Sequence, residues 1–176
     1  MNKHTKNFQS YFLPICLILI LSLSRLIPHP SNFTPILAVG IFSGFYFRQL
    51  YLSIFIVIFS MFLGDLYLGF HSTMLFTYFS LAIAVVIGLF VKKFKFSEIL
   101  FSGLLSSAVF FIITNFGAWL TLEMYEKSFA GLLSSYVLAI PFFHNTMIST
   151  LLYLLLIKVL FEFFINKKRM TKTLSA

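Results

Sequence analysis

Four separate stretches of the chain supply the side chains that could recognise a ligand. They are Arg25, His29, Ser31 and Asn32; Asp65 and His71; Asn115, Trp119, Glu123 and Tyr125; and His144 and Asn145. An arginine and an aspartate can pair with each other or hold a charged ligand group. Asparagine amides both donate and accept hydrogen bonds, and an indole offers a stacking surface. His29, His71 and His144 could together hold a metal, but their spacing matches no zinc signature, and no metal site is assigned. HExxH, GxSxG, P-loop and paired intramembrane aspartate patterns are all missing from the sequence, so proteolysis and ATP hydrolysis have no carriers. The chemistry expected is binding rather than catalysis, with no resident cofactor.

The elements that must position these groups are apolar helices. The chain of 176 residues is 60% hydrophobic and 10% charged, with 25 phenylalanines. A soluble domain carries about 25% charged residues, so the reading is an all-α, polytopic membrane bundle forming one integral domain over residues 1–176. Candidate crossings are Tyr11–Ile27, Ile36–Phe47, Leu50–Leu66, Thr73–Val91, Ile99–Leu120 and Pro141–Phe164. The second is only twelve residues, about 18 Å of helix, against a hydrocarbon core of about 30 Å. Charge parity nevertheless favours its crossing. With six crossings, Lys3/Lys6, Arg48, the Lys92–Lys95 cluster and Lys167-Lys168-Arg169 all face the same side, as the positive-inside rule requires. Both tails, 1–10 and 165–176, are then cytoplasmic, and the location expected is a bacterial inner membrane. The net charge of +8 follows from these helix-end lysines, which argues against nucleic acid as a partner. Lys3 and Lys6 before an apolar run resemble a signal peptide, but that run continues into Leu26-Ile27, and retention is expected. A lone Cys16 excludes an internal disulfide.

Under this topology the four polar stretches lie at one depth on the outer side. The segment Arg25–Pro35 holds three prolines in eleven positions and cannot be helical. It is expected to lie against the bundle and form part of an outward pocket lined by Arg25, His29, Asn32, Asp65, His71, Asn115, Trp119, His144 and Asn145. Individual residues also have plainer roles open to them. Arg25 could reach the headgroups or pair with Asp65, Asn115 could bond a neighbouring helix, and Trp119 and Tyr125 could anchor at the interface. Ser128–Ile140 reads as an interfacial helix ending where Pro141 opens the last span. Gly40 and Gly44 form a GxxxG, and Ala84 and Gly88 a looser version. Both are surfaces for helix packing or for docking another subunit.

The blocks Arg-Leu-Ile-Pro-His-Pro-Ser-Asn-Phe-Thr-Pro-Ile (25–36), Gly-Asp-Leu-Tyr-Leu-Gly-Phe-His (64–71), Phe-Phe-Ile-Ile-Thr-Asn-Phe-Gly-Ala-Trp-Leu (110–120) and Tyr-Val-Leu-Ala-Ile-Pro-Phe-Phe-His-Asn-Thr (136–146) resemble an uncharacterised bacterial integral membrane family. That family is similar to the substrate-binding S components of energy-coupling-factor (ECF) vitamin transporters. The resemblance implies about six helices, an outward ligand pocket and uptake of a vitamin-like micronutrient, alone or with an ATP-driven energising module. The first span carries no alanine pair of the kind many S components use for docking, which leaves the Gly40/Gly44 face as the candidate for that role. The opposing expectation is a structural or assembly membrane protein whose outer polar residues only tie helices together.

Overall fold

The computed structural model describes the backbone of residues 3–174 and the side chains of residue 12 and residues 15–163. The lysine clusters of both tails lie outside the described side chains. Described residues form seven helices and no strand: α1 (Lys3–Ser24), α2 (Ile36–Phe47), α3 (Leu50–Leu68), α4 (Met74–Phe90), α5 (Phe96–Thr121), α6 (Phe129–Val137) and α7 (Ile140–Leu174). Each of the six expected crossings is a helix, and the seventh, α6, falls within Ser128–Ile140. Leu50–Leu68, Phe96–Thr121 and Ile140–Phe163 are long and apolar enough to cross a membrane, whereas α2, α4 and the described apolar part of α1 are shorter.

Ends differ from expectation where local chemistry intervenes. The first helix stops at Ser24 rather than Ile27, with a turn closed by the Leu26 N–H on Leu23 O, because Pro28 and Pro30 cannot continue it. Pro35 then sits immediately before α2. At the other end of α2, Arg48 takes a left-handed conformation (φ 54°) and its N–H closes on Gly44 O. The Arg48 guanidinium donates to Leu89 O (2.6 Å) and Val91 O (2.5 Å), carbonyls at the C-terminal end of α4, where a cation is favoured.

The centre of the bundle is α2. Every residue from Ile36 to Gly44 is buried, enclosed by α3, α4, α5 and α7. A helix apolar all round belongs in a core, and neighbouring helices cover this one. Its seam with α4 is made by the small residues. A Cβ on Gly44 would lie 2.2 Å from Val85 O, one on Gly88 2.1 Å from Ile41 O, and one on Gly40 3.6 Å from the Ala84 Cβ. Gly40, Gly44, Ala84 and Gly88 therefore meet in a single crossing inside the bundle. Near Arg48, Phe42, Phe45, Phe94 and Phe161 fill the end of the core, with Phe45 stacked on Phe94 at 4.8 Å.

Polarity runs opposite to that of a soluble protein. Ser43, Ser53, Ser60, Ser80, Ser102, Ser106, Ser107 and Ser135 are buried between helices. Phe79, Phe90 and Phe101 are more than 60% exposed. Small hydroxyls let helices approach closely; Ser43, Ser60, Ser80, Ser102 and Ser135 donate to carbonyls of their own helices, and Ser53 of α3 donates to Ser43 O of α2.

Candidate functional site

Arg25 is the first residue past α1, and its side chain crosses to α3. Its Nη1 donates to Asp65 Oδ1 at 2.5 Å and to Met61 O at 3.1 Å. Asp65 is fully buried, the Arg25 side chain 18% exposed. The second carboxylate oxygen accepts from the Tyr78 hydroxyl of α4 at 2.6 Å. Three helices are thus joined through one carboxylate. Gly64 makes room for the guanidinium: a Cβ there would lie 2.6 Å from Arg25 Nη1. Isolated, the Asp65 charge would be costly, but with both oxygens hydrogen-bonded and a cation adjacent it is compensated.

Beside this pair lies a cavity of about 370 Å³, within the range of small-molecule sites. The segment after α1 contributes Arg25, His29, Asn32 and Thr34, and the start of α2 contributes Ile36 and Leu37. His71, Thr73 and Thr77 come from the start of α4 and the turn before it, Phe110 and Thr114 from α5, and Thr146, Ser149 and Thr150 from α7. Leu21, Ser24 and Met61 complete it, so no carboxylate is among the lining residues.

Most of these hydroxyls have already spent their one proton. Ser24 donates to Leu21 O, Thr77 to Thr73 O, Thr114 to Phe110 O, Thr146 to Phe142 O and Ser149 to Thr146 O. A hydroxyl whose proton is on a carbonyl can offer a ligand only lone pairs. Thr150 Oγ1, fully buried, has no hydrogen-bond partner among the described residues.

The expected site residues divide. Arg25, His29, Asn32 and His71 line the cavity, and Asp65 stands behind Arg25. The His29 ring bonds Pro30 O through Nδ1, and His71 bonds the Thr73 hydroxyl. Asn145 lies off the wall but fastens it: its amide donates to Ser31 O at 3.0 Å, strapping the proline-rich segment to α7. Asn115 bonds Phe111 O in its own helix and does not line the cavity. Trp119 donates to Glu126 O, and Lys127 reaches back to Trp119 O and Leu122 O, so this cluster closes the turn between α5 and α6. His144 is exposed, its ring beside Phe143. Among the described residues no three metal-ligating side chains come together.

Sequence reasoning missed Tyr78 and the hydroxyl wall. Thr73/Thr77 and Thr146/Ser149/Thr150 do recur at spacings of three and four, which put them on one helix face. That periodicity was the available signal.

No curated protein and no solved structure matches the chain. Its sequence matches the family described as "Family of unknown function (DUF6580)" over residues 5–173, and the chain belongs to that family.

Proposed function

We propose that this chain is the membrane-embedded binding subunit of an uptake system for a small, vitamin-like micronutrient. The observation that carries the reading is the polar cavity at the Arg25 end of an otherwise apolar-surfaced bundle. In this reading six helices cross a bacterial inner membrane with both termini cytoplasmic, and the cavity opens outward. The exposed phenylalanines face lipid and the Arg48/Lys92/Lys93 end faces the cytoplasm. The architecture is then of the S-component type, acting alone or with an ATP-driven energising module. The Gly40/Gly44 surface is occupied by α4, so such a module would dock elsewhere, on one of the exposed apolar faces.

Uptake of a panel of radiolabelled water-soluble vitamins by cells overproducing the protein tests this. Saturable accumulation above vector control, lost in Arg25→Leu at equal membrane abundance, supports the reading. If no vitamin accumulates and none binds the purified protein, the reading fails.

One observation favours the structural alternative for particular residues. Asp65 satisfies both its oxygens within the protein and touches no cavity space, so its part is to hold Arg25 and three helices together.

A further inference from the structure

The polarity of the cavity's groups specifies a ligand class, given the reading that this cavity binds the imported molecule. On one side are donors. Both hydrogen bonds that Arg25 makes to described groups leave from Nη1, so among the described residues its other N–H groups are uncommitted. Beside it, Ile36 and Leu37 bring the N-terminus of α2 to the wall. No side chain caps that terminus, and among described groups the first of its N–H donors to find a main-chain acceptor is that of Val39. An uncapped helix N-terminus inside a membrane protein carries partial positive charge and favours a carboxylate.

On the side formed by α5 and α7 the balance reverses. Thr114, Thr146 and Ser149 have donated their protons to backbone carbonyls and present oxygen lone pairs. Thr150, fully buried on the same wall, is the one cavity-lining member of the three buried hydroxyls, with Ser106 and Ser107, that find no partner among the described residues, so its hydroxyl is open to a bound group. A buried hydroxyl left unpaired carries a desolvation cost that a bound hydrogen-bonding group removes.

We infer that the cavity takes a zwitterionic, amino-acid-like molecule, with its carboxylate at Arg25 and the α2 N-terminus and its amine on the Thr114/Thr146/Ser149 oxygens. A purely anionic ligand would leave the acceptor wall unmatched, and a purely cationic one would place like charge against the Arg25 guanidinium and the positive end of α2.

The test uses the full-length protein in nanodiscs and a series of linear ω-amino acids from β-alanine to 6-aminohexanoate, with hexanoate and hexylamine as single-charge controls. Dissociation constants come from the ligand-dependent rise in Tm. At least one ω-amino acid is expected to bind tenfold or more tightly than either control. Thr146→Val, which keeps the shape and removes the oxygen, should reduce that preference over hexanoate about tenfold, and Thr114→Val should do the same. Hexanoate binding as tightly as every amino acid, an unchanged preference in both variants, or no stabilisation by any compound would each overturn the inference. The uptake reading is judged separately with the same radiolabelled compounds. Selective binding without accumulation leaves the zwitterion site standing and removes transport, whereas vitamin uptake with no preference for a zwitterion does the reverse.

Discussion

The hydroxyl of Tyr78 donates to Asp65 Oδ2 while Arg25 occupies Oδ1, so the carboxylate that positions the cavity's arginine is itself fixed from α4. Removing one member of such a buried pair leaves the other uncompensated and typically costs about 3–5 kcal/mol, whereas removing both costs much less. Asp65→Leu and Arg25→Leu are each expected to lower the Tm in detergent more than the Arg25→Leu/Asp65→Leu double variant does. Additive losses in the double variant would show that the two side chains are not coupled. Tyr78→Phe, which deletes one charge-assisted hydrogen bond, should cost about 1.5–3 kcal/mol.

Gly64 offers a subtler perturbation. A methyl placed there lies 2.6 Å from Arg25 Nη1 but meets the far end of a long side chain rather than backbone. Gly64→Ala is expected to leave the protein folded at near-normal abundance while displacing the guanidinium and, on the proposed binding role, weakening ligand binding at the cavity about tenfold, about 1.4 kcal/mol. Unaltered binding in this variant would mean that the position of Arg25 is irrelevant to the site.

The seam between α2 and α4 predicts a graded glycine series. Gly44→Ala and Gly88→Ala drive a Cβ to 2.2 and 2.1 Å from main-chain oxygens, which can be relieved only by separating the helices. Each should cost about 1–3 kcal/mol or more. Gly40→Ala, with ordinary contacts from 3.6 Å outward, should be neutral or gain up to about 1 kcal/mol from helix propensity. Equal tolerance of all three in thermal unfolding would refute the backbone contact.

Sidedness is checked by cysteine labelling in a Cys16→Ser background. Ser31, Ser72, Lys127 and Lys93 are all exposed, so reactivity reports the side of the membrane rather than burial. Single cysteines at the first three positions should react with an impermeant maleimide in intact cells, and one at Lys93 should react only after lysis. Labelling of Lys93 from outside would reverse the six-crossing arrangement.

Legibility of this chain follows the physics of each signal. The proline-rich break, the glycine pairs and the apolar lengths act locally, and so Ile36–Phe47 emerged with the boundaries expected. Depth along a helix could also be counted at 1.5 Å per residue, which is why Arg25, His29, Asn32 and His71 were expected at one end, where they line one cavity. Azimuth could not be counted. Thr114 and Asn115 are neighbours about 100° apart around α5, and only the first faces the cavity. Which face turns inward depends on where α7 packs, and an apolar helix surrounded by apolar groups gives little amphipathic pattern to reveal it. Tyr78 was hidden for the same reason: in the aromatic run of α4 nothing distinguishes the one phenol that meets a carboxylate.

The enclosed position of α2 has a mechanical consequence. A molecule in the cavity meets this helix head-on at Ile36 and Leu37, and about 18 Å of it lies between them and Arg48. It acts as a stopper in the middle of the bundle, tethered at one end by the proline-rich segment that Asn145 straps through Ser31 and at the other by the grip of Arg48 on α4. Passage from one end to the other through the middle of the bundle requires this stopper to shift as a body.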